Sequence, residues 1–478
     1  MKNIMDNCMF GGVRLKKLKA VIAIIMVFTI IATFSGCSFR LTSFDNLMRP
    51  PKLIGKYQGL QDAFENAVKE KFSLLTPENG DHQSSFVIVD IDNDGLEEAF
   101  VFYVLTDTPE IAKVSFFRYF EGKWKFVATQ DGLGNTVDKV IVSDLDNDDK
   151  SEVLIGWYLF SSKSNRAFSE YSVKQDTFNQ IASYPYTHFD VVDVNGDGCR
   201  DVLTLTVDTS VQDKLTAMAR VYNLDQSNKT LSLYGETAMD GNISAYSSVT
   251  TETVNNTNYI YVESAKGLNE SITEVVFWDA KKNSLVSPLF DIASQSTILT
   301  WRNINLSVYD VDSDKFLEIP TSVEMPGSSV TTSDTLNSSS TVTSDNNPAT
   351  KMYFTKWVKY RDGKLVPVQY SIVNKQLGYM LNVKSSWVGR ITVCGTDGQW
   401  DYYRWNATKG EISDLLFSVY TYNNEVEQDA KKFTGYEILK TTSERTYVYR
   451  ITDEGRKFGI SDDWLIKSFI LTDFGGLR

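Results

Sequence analysis

Four times between residues 90 and 318 the chain repeats one nine-residue pattern: DIDNDGLEE from Asp90, DLDNDDKSE from Asp144, DVNGDGCRD from Asp193 and DVDSDKFLE from Asp310. Each copy has Asp at positions 1 and 5, Asp or Asn at position 3, and a carboxylate at position 9. The copies start 54, 49 and 117 residues apart, the last interval being close to twice the others, so a copy without its acids is expected near residue 251. There, SSVTTETVNNTNYIYVES keeps the rhythm of apolar run, loop and apolar run. A period of this length means one supersecondary unit stacked on copies of itself, since a single unit cannot bury its own apolar faces.

The flanks of each copy read as strands. FVIV, KVIVS, HFDVV and NLSVY precede the acids, and EAFVFYV, EVLIGWYL, DVLTLTV and EIPTSV follow them. Each unit then adds a hairpin with a plain turn, as in KVSFFRYFEGKWKFVAT and MYFTKWVKYRDGKLVPVQY. Four strands in roughly 50 residues is the period of a β-propeller blade. The sequence therefore predicts a mainly β protein, a β-propeller of four-stranded blades with at least five units over 84–376. Aromatic residues at 13% suit such interleaved sheets.

Outside the repeat, residues 57–83 form an N-terminal helical segment, with Leu60, Phe64, Ala67, Val68 and Phe72 at helical spacing from Tyr57 to Phe72. About 327–350, a Ser/Thr/Asn run with almost no apolar residues reads as a disordered insertion. Beyond 376 the period is lost, and 378–478 reads either as a separate α+β domain or as a divergent final blade. GYMLNV, GRITVC, DYYRWN, LLFSVYTY, YEILK and TYVYRI are its strands; EQDAKKF and SDDWLIKSF are its helices, the latter with Ser461 as N-cap.

Side-chain oxygens at positions 1, 3 and 5 of a tight loop, a carbonyl at 7 and a carboxylate at 9 make a hard-oxygen cage of calcium type. Nitrogen and sulfur donors are missing, which disfavours zinc and copper. Position 12 holds no carboxylate and the flanks are strands, so the loop is not an EF-hand. D-x-D-x-D-G-x-x-D/E loops between the first two strands of consecutive blades resemble the FG-GAP/VCBS repeats of integrin-α-type propellers. That resemblance implies up to four structural Ca²⁺ ions. Their ligands would be Asp90, Asp92, Asp94, Leu96 and Glu98; Asp144, Asp146, Asp148, Lys150 and Glu152; Asp193, Asn195, Asp197, Cys199 and Asp201; and Asp310, Asp312, Asp314, Phe316 and Glu318. Leu96, Lys150, Cys199 and Phe316 would contribute through their carbonyls. Position 6 favours a residue that tolerates a left-handed turn, which ranks the loops with Gly95 and Gly198 first and the loop with Lys315 last.

The N-terminus bears on location. Arg14, Lys16, Lys17 and Lys19 precede the apolar run AVIAIIMVFTIIATF, which ends at SGC. Small residues before Cys37 resemble the lipobox of bacterial lipoproteins. This implies a signal peptide at 1–36, lipid on the Cys37 sulfur, a tether over 37–56, and a membrane-anchored, extracytoplasmic protein; an uncleaved anchor helix is the alternative. Loss of residues 1–36 would leave 43 basic side chains against 60 acidic ones, a net charge of −17, which disfavours nucleic acid.

Equivalent loops are a poor way to build one active site, which needs unlike groups converging in a pocket. The expectation is a non-catalytic binding module with a protein or glycan partner. The alternatives are a signalling or complex subunit acting through the C-terminal region, and a carbohydrate-active enzyme. Trp301, Trp387, Trp400 and Trp405 are candidates for a sugar-binding face, or for core.

Overall fold

The computed structural model describes residues 57–159, 165–174, 176–208, 216–330, 351–396, 398–425 and 433–472. The signal segment, Cys37 and the tether lie outside the described residues. So do most of the Ser/Thr-rich insertion and nearly all of the predicted helix EQDAKKF. The described chain is mainly β, folded into six antiparallel-rich sheets that follow one another in sequence.

Sheet 1 contains Phe72–Leu74, Phe86–Val89, Glu98–Leu105, Thr108–Phe120 and Lys123–Asp131; the first two strands share the edge of the third. Sheet 2 runs Thr136–Ser143, Glu152–Tyr158, Arg166–Lys174, Thr177–Tyr186. Sheet 3 runs His188–Val192, Asp201–Asp208, Thr216–Asp225, Thr230–Asp240. Sheet 4 runs Ala245–Val254, Thr257–Ala265, Ser271–Asp279, Ser284–Val286. Sheets 2 to 4 are four-stranded meanders and sheet 1 is one with Phe72–Leu74 added, and each acidic loop joins two neighbouring strands of its sheet or, in sheet 5, leads into the first strand.

The strand just after each loop is buried on both faces: EAFVFYVL in sheet 1, EVLIGWY in sheet 2 and DVLTLTV in sheet 3. A continuous apolar strand needs cover on both sides, and stacking supplies it. Phe100 and Phe116 of sheet 1 pack with Trp157, Tyr171 and Phe178 of sheet 2. Phe168 and Tyr186 of sheet 2 meet Phe189 and Val202 of sheet 3. Leu203 and Ala219 of sheet 3 meet Ile260 and Val262 of sheet 4, and Tyr261 and Val275 of sheet 4 meet Ile319 and Val358 of sheet 5. The core of each pair is therefore a layer between consecutive sheets.

Sheet 4 is the copy without acids. Its first two strands are joined by the two residues Asn255 and Asn256, at φ 49° and 59°, the two left-handed positions of a tight hairpin turn.

Sheet 5 departs from the sequence reading. It contains Ile319–Glu324, Tyr353–Arg361, Lys364–Asn374, Tyr379–Val383 and Phe469–Leu471, but the predicted strand NLSVY is reduced to the single bridge Tyr309 to Glu318. Side chains replace the ladder there. The buried Arg302 donates through Nε to the Leu306 carbonyl at 2.9 Å, and the Val308 amide donates to Glu263 Oε1 at 2.8 Å. The polar backbone of that segment is thus satisfied without a strand partner.

Tyr379–Val383, which lies beyond the sequence boundary at 376, pairs with Tyr370–Asn374, so sheet 5 crosses that boundary. Sheet 6 has the spatial order Ser329–Val330, Ile391–Thr396, Gln399–Asn406, Glu411–Asn423, Arg445–Ile451, Glu437–Thr441. Its first strand falls inside the segment expected to be disordered, and pairs in parallel with Cys394 and Gly395. Phe354, Ile372 and Leu381 of sheet 5 share a core with Val393, Tyr402 and Phe417 of sheet 6.

Three α-helices are described. Helix α1, Gln58–Ala67, buries Leu60 and Phe64 and ends before Phe72, which instead pairs as a strand with Leu105. Helix α2, Asp453–Phe458, starts at the N-cap Thr452 and stops at the left-handed Gly459. Helix α3, Asp462–Ser468, has Ser461 as its N-cap, with Oγ accepting from the Trp464 amide at 3.2 Å. Among the described residues no helix is long and apolar enough to cross a membrane. Trp387 and Trp400 are buried in the core of sheets 5 and 6, so a sugar-binding face made of the four tryptophans is not what the fold presents.

Candidate metal centres

The four loops fold alike because three of their four acids do the same local work. The position 1 carboxylate wraps back onto amides further along the loop. Asp90 accepts from Asp94 and Gly95, Asp144 from Asp148 and Asp149, Asp193 from Gly196 and Gly198, and Asp310 from Asp314 and Lys315. Position 5 then holds the amide of position 7. Asp94 accepts from Leu96, Asp148 from Lys150, Asp197 from Cys199 and Asp314 from Phe316, at 2.7 to 3.0 Å. These are Asx-type turns, in which short acids do the job of backbone acceptors. They force two residues per loop into left-handed backbone: Asn93 and Gly95, Asn147 and Asp149, Gly196 and Gly198, Ser313 and Lys315. Position 4 was not read from sequence as special. Its Asn, Asn, Gly and Ser are the signal that would have marked it.

Position 9 closes the loop. Glu98, Glu152, Asp201 and Glu318 each accept from the amide at position 2, namely Ile91 at 3.1 Å, Leu145 at 3.0 Å, Val194 at 2.9 Å and Val311 at 2.7 Å. Glu98 and Glu318 are fully buried and Asp201 is 1% exposed. Burial pushes these carboxyls up: Glu152 to about 7 and Asp201 to about 6, with neighbouring loop carboxylates adding to the rise and the position 2 amide opposing it.

Position 3 is different. In the first two loops Asp92 Oδ1 and Asp146 Oδ1 are buried with no hydrogen-bond partner, whereas in the fourth Asp312 Oδ1 accepts from the Asp314 amide at 3.3 Å. A buried acceptor without a donor is costly, and such an oxygen suits a cation. One oxygen from each of Asp90, Asp92 and Asp94 lies within 4.8 Å of the others, and the same holds for Asp144, Asp146 and Glu152 and for Asp310, Asp312 and Glu318. These three clusters could hold a metal ion. In the third loop, Asn195 takes position 3 and satisfies itself on Asp197, accepting the Asp197 amide and donating to Oδ2, both at 2.9 Å. Among the described residues Asp193, Asp197 and Asp201 form no such trio.

Three basic side chains absent from the sequence reading sit at these clusters. Arg118, which faces Glu98 across the strand pair, donates to Glu98 Oε1 at 3.0 Å and Asp92 Oδ2 at 2.9 Å, and reaches Asp94 at 3.4 Å. Lys359 holds the same place in sheet 5, pairing with Asp312 at 3.2 Å, with Glu318 at 3.1 Å, and with Asp314. Lys229 comes from the hairpin turn of sheet 3 and meets Asp146 at 2.5 Å and Asp148 at 3.0 Å. Among the described residues no ion pair reaches Asp193, Asp197 or Asp201. Between the first two loops lies a groove of about 280 Å³, lined by Asp92, Glu98, Arg118, Asp148, Glu152 and Lys229 among others.

No family model and no curated protein matches the chain. Among solved structures, Saccharomyces cerevisiae Sqt1 aligns at 11% identity and TM-score 0.27, covering 77% of this chain and 96% of that one. A hypothetical selenium-binding protein from Sulfolobus tokodaii aligns at 12% and 0.25, over 44% of this chain and 56% of that one. A provisionally named 6-phosphogluconolactonase from Bacteroides uniformis aligns at 11% and 0.27, over 72% and 94%. Likenesses of this size carry no argument about activity. The site has to be read from its own residues.

The donor set fits calcium. All the side chains at positions 1, 3, 5 and 9 offer oxygen, the only nearby sulfur is Cys199 with a raised thiol pKa, and the unpartnered oxygens face the clusters. Cys199 and Cys394 are both free thiols.

Proposed function

We propose that the protein is a calcium-stabilised β-propeller of the FG-GAP/VCBS kind, lipid-anchored through Cys37 on the outer side of a bacterial membrane. In this reading it serves as a non-catalytic binding module. The observation that carries the calcium part is the shared hydrogen-bond pattern of the loops: it occupies positions 1, 5 and 9 with backbone amides and leaves buried Asp92 Oδ1 and Asp146 Oδ1 with no partner. The side-chain oxygens at positions 1, 3, 5 and 9 and the carbonyl at position 7 would hold the ion. Bound there, it would supply positive charge to a rim of crowded acids. Support for the propeller comes from the stacking of consecutive meanders, each with its loop at the same place.

Support for a non-catalytic role is the sameness of the loops: the acids at positions 1, 5 and 9 have structural tasks that recur from sheet to sheet. Equilibrium melting of the full chain in calcium and in chelator tests the calcium reading. The expected result is a lower melting temperature in chelator, with Asp90→Ala and Asp193→Ala each removing part of the calcium response. A melting curve indifferent to both calcium and chelator refutes it.

A further inference from the structure

We infer that Arg118, Lys229 and Lys359 are resident counter-cations of the loops, so that calcium enters the first, second and fourth loops by exchange and the third without it. This rests on the calcium reading above. The geometry behind it is a correlation between position 3 and the cations. Where position 3 is Asp, a basic side chain sits on its Oδ2: Arg118 on Asp92, Lys229 on Asp146, Lys359 on Asp312. Where it is Asn195, no lysine or arginine pairs with the loop among the described residues, and the amide turns onto Asp197 instead. One basic group thus accompanies each extra acid.

The origins of the cations point the same way. Arg118 and Lys359 occupy the strand position facing the position 9 carboxylate, one strand over, in sheets 1 and 5. Continuing the register by one residue, the same place in sheet 2 is Ser172 and in sheet 3 is Asn223. Sheet 2 recovers its cation from a different element, the left-handed Lys229 in the turn of the next sheet. Sheet 3 does not. Two structural routes to one cation at three loops, and none at the loop that has one acid fewer, is the pattern of charge compensation.

The cations differ in how firmly they are held. The Arg118 and Lys359 side chains are 15% and 14% exposed, whereas Lys229 is 49% exposed. An ammonium or guanidinium on three carboxylates competes for the oxygens a calcium ion would need, and a partly buried one competes more strongly than a solvated one. Glu318 Oε1, 3.1 Å from the Lys359 ammonium, still has no aligned hydrogen bond, so Lys359 neutralises the fourth cage without saturating it.

The test is calcium titration of the metal-stripped full chain by calorimetry, with melting in chelator and in calcium alongside. The proteins are the wild type, Lys359→Met, Arg118→Met, Lys229→Met and Asp193→Ala. Lys359→Met and Arg118→Met are expected to melt lower in chelator. Calcium should restore them, and each should show a site whose half-saturating calcium falls about tenfold. Lys229→Met should move least, and Asp193→Ala should remove a site present in the wild type.

If wild type responds to calcium and loses a site in Asp193→Ala, while Lys359→Met and Arg118→Met leave half-saturation unchanged, the exchange is overturned and the calcium reading stands. If no protein in the set binds calcium, both fall. Should Lys359→Met fail to fold, Arg118→Met makes the same measurement at an independent loop.

Discussion

The position 9 carboxylate has two jobs that a pair of substitutions separates. Asp201 is 1% exposed, and its Oδ2 accepts from the equally buried Val194 amide at 2.9 Å. In Asp201→Ala that amide is left without a partner in a dry environment, which costs about 1–3 kcal/mol whether or not calcium is present. In Asp201→Asn the amide oxygen keeps the hydrogen bond and the buried charge disappears, so the metal-free variant should match the wild type or exceed it slightly. What it loses is the ion.

For a site with a dissociation constant of about 10⁻⁴ M in about 2 mM calcium, binding stabilises the folded chain by roughly 1.8 kcal/mol. Unfolding entropy of about 2.1 cal/mol/K per residue, over the roughly 390 residues from 84 to 472, converts this to a shift of about 2 °C. Scanning calorimetry on metal-stripped and calcium-loaded protein reads both. The expected order is wild type and Asn together above Ala without calcium, and wild type above both variants with it. If Ala and Asn melt alike without calcium, the acceptor role is wrong; if Asn keeps the full calcium shift, Asp201 is no ligand.

Three further outcomes are expected. Arg302, 1% exposed, holds Glu263 at 3.1 Å, and both support the strandless segment before the fourth loop, so Arg302→Met should lower stability by about 3–5 kcal/mol in urea titration by leaving Glu263 buried and unpaired. The metal-stripped protein should melt higher at pH 5 than at pH 8. Glu152 near 7 and Asp201 near 6 sit above their unfolded values of 4.5 and 3.8, so the folded state binds the extra protons, and the stability they contribute is lost as pH rises through that window. A melting temperature that rises over the same interval contradicts this. Cys37→Ala should move the protein from the membrane pellet to the soluble fraction after cell fractionation; an unchanged distribution removes the lipid anchor from the proposal.

The repeat was legible because its acids act over nine residues of one chain, and spacing reports such local bonds directly. The four-stranded meanders followed from it, as did the place of the acid-free copy near residue 251, though not its two-residue turn at Asn255 and Asn256. Arg118, Lys359 and Lys229 were not legible. Arg118 and Lys359 depend on strand register, and Lys229 lies 83 residues from Asp146 in sequence. Phe72 looked helical by spacing, yet strand pairing with Leu105 and contact with the Tyr103 ring outweighed local periodicity. NLSVY looked like a strand, but the buried Arg302, just before it, and Glu263, remote in sequence, took hydrogen bonds of its backbone. Glycine at position 6 ranked the loops by turn strain, but all four hold the same two left-handed residues, Lys315 at φ 73° included. What distinguishes the loops is the basic side chain that pairs with the first, second and fourth and, among the described residues, not with the third.

The loops also do more than hold a charge, because each one touches a neighbouring sheet or its loop. The Ser151 amide of the second loop donates to the Ile91 carbonyl of the first at 2.8 Å, and Asn147 Nδ2 donates to the Gly198 carbonyl of the third at 3.0 Å. Sheet 4 has no acidic loop, yet it keeps this chain of contacts with single side chains. Asn258 Nδ2 donates to the Asp193 carbonyl at 2.7 Å on one side, and on the other Glu252 accepts from the Leu317 amide at 2.7 Å and takes the Tyr261 hydroxyl at 2.8 Å. The lapsed copy has therefore lost its cage and kept its joint. Stiffening any one loop fixes a carbonyl or an amide that its neighbour uses, so charge neutralisation at the cages acts on the seams between sheets as well as on the hairpins themselves. In sheet 4, where the loop has no acids, Asn258 and Glu252 make both joints through side chains instead.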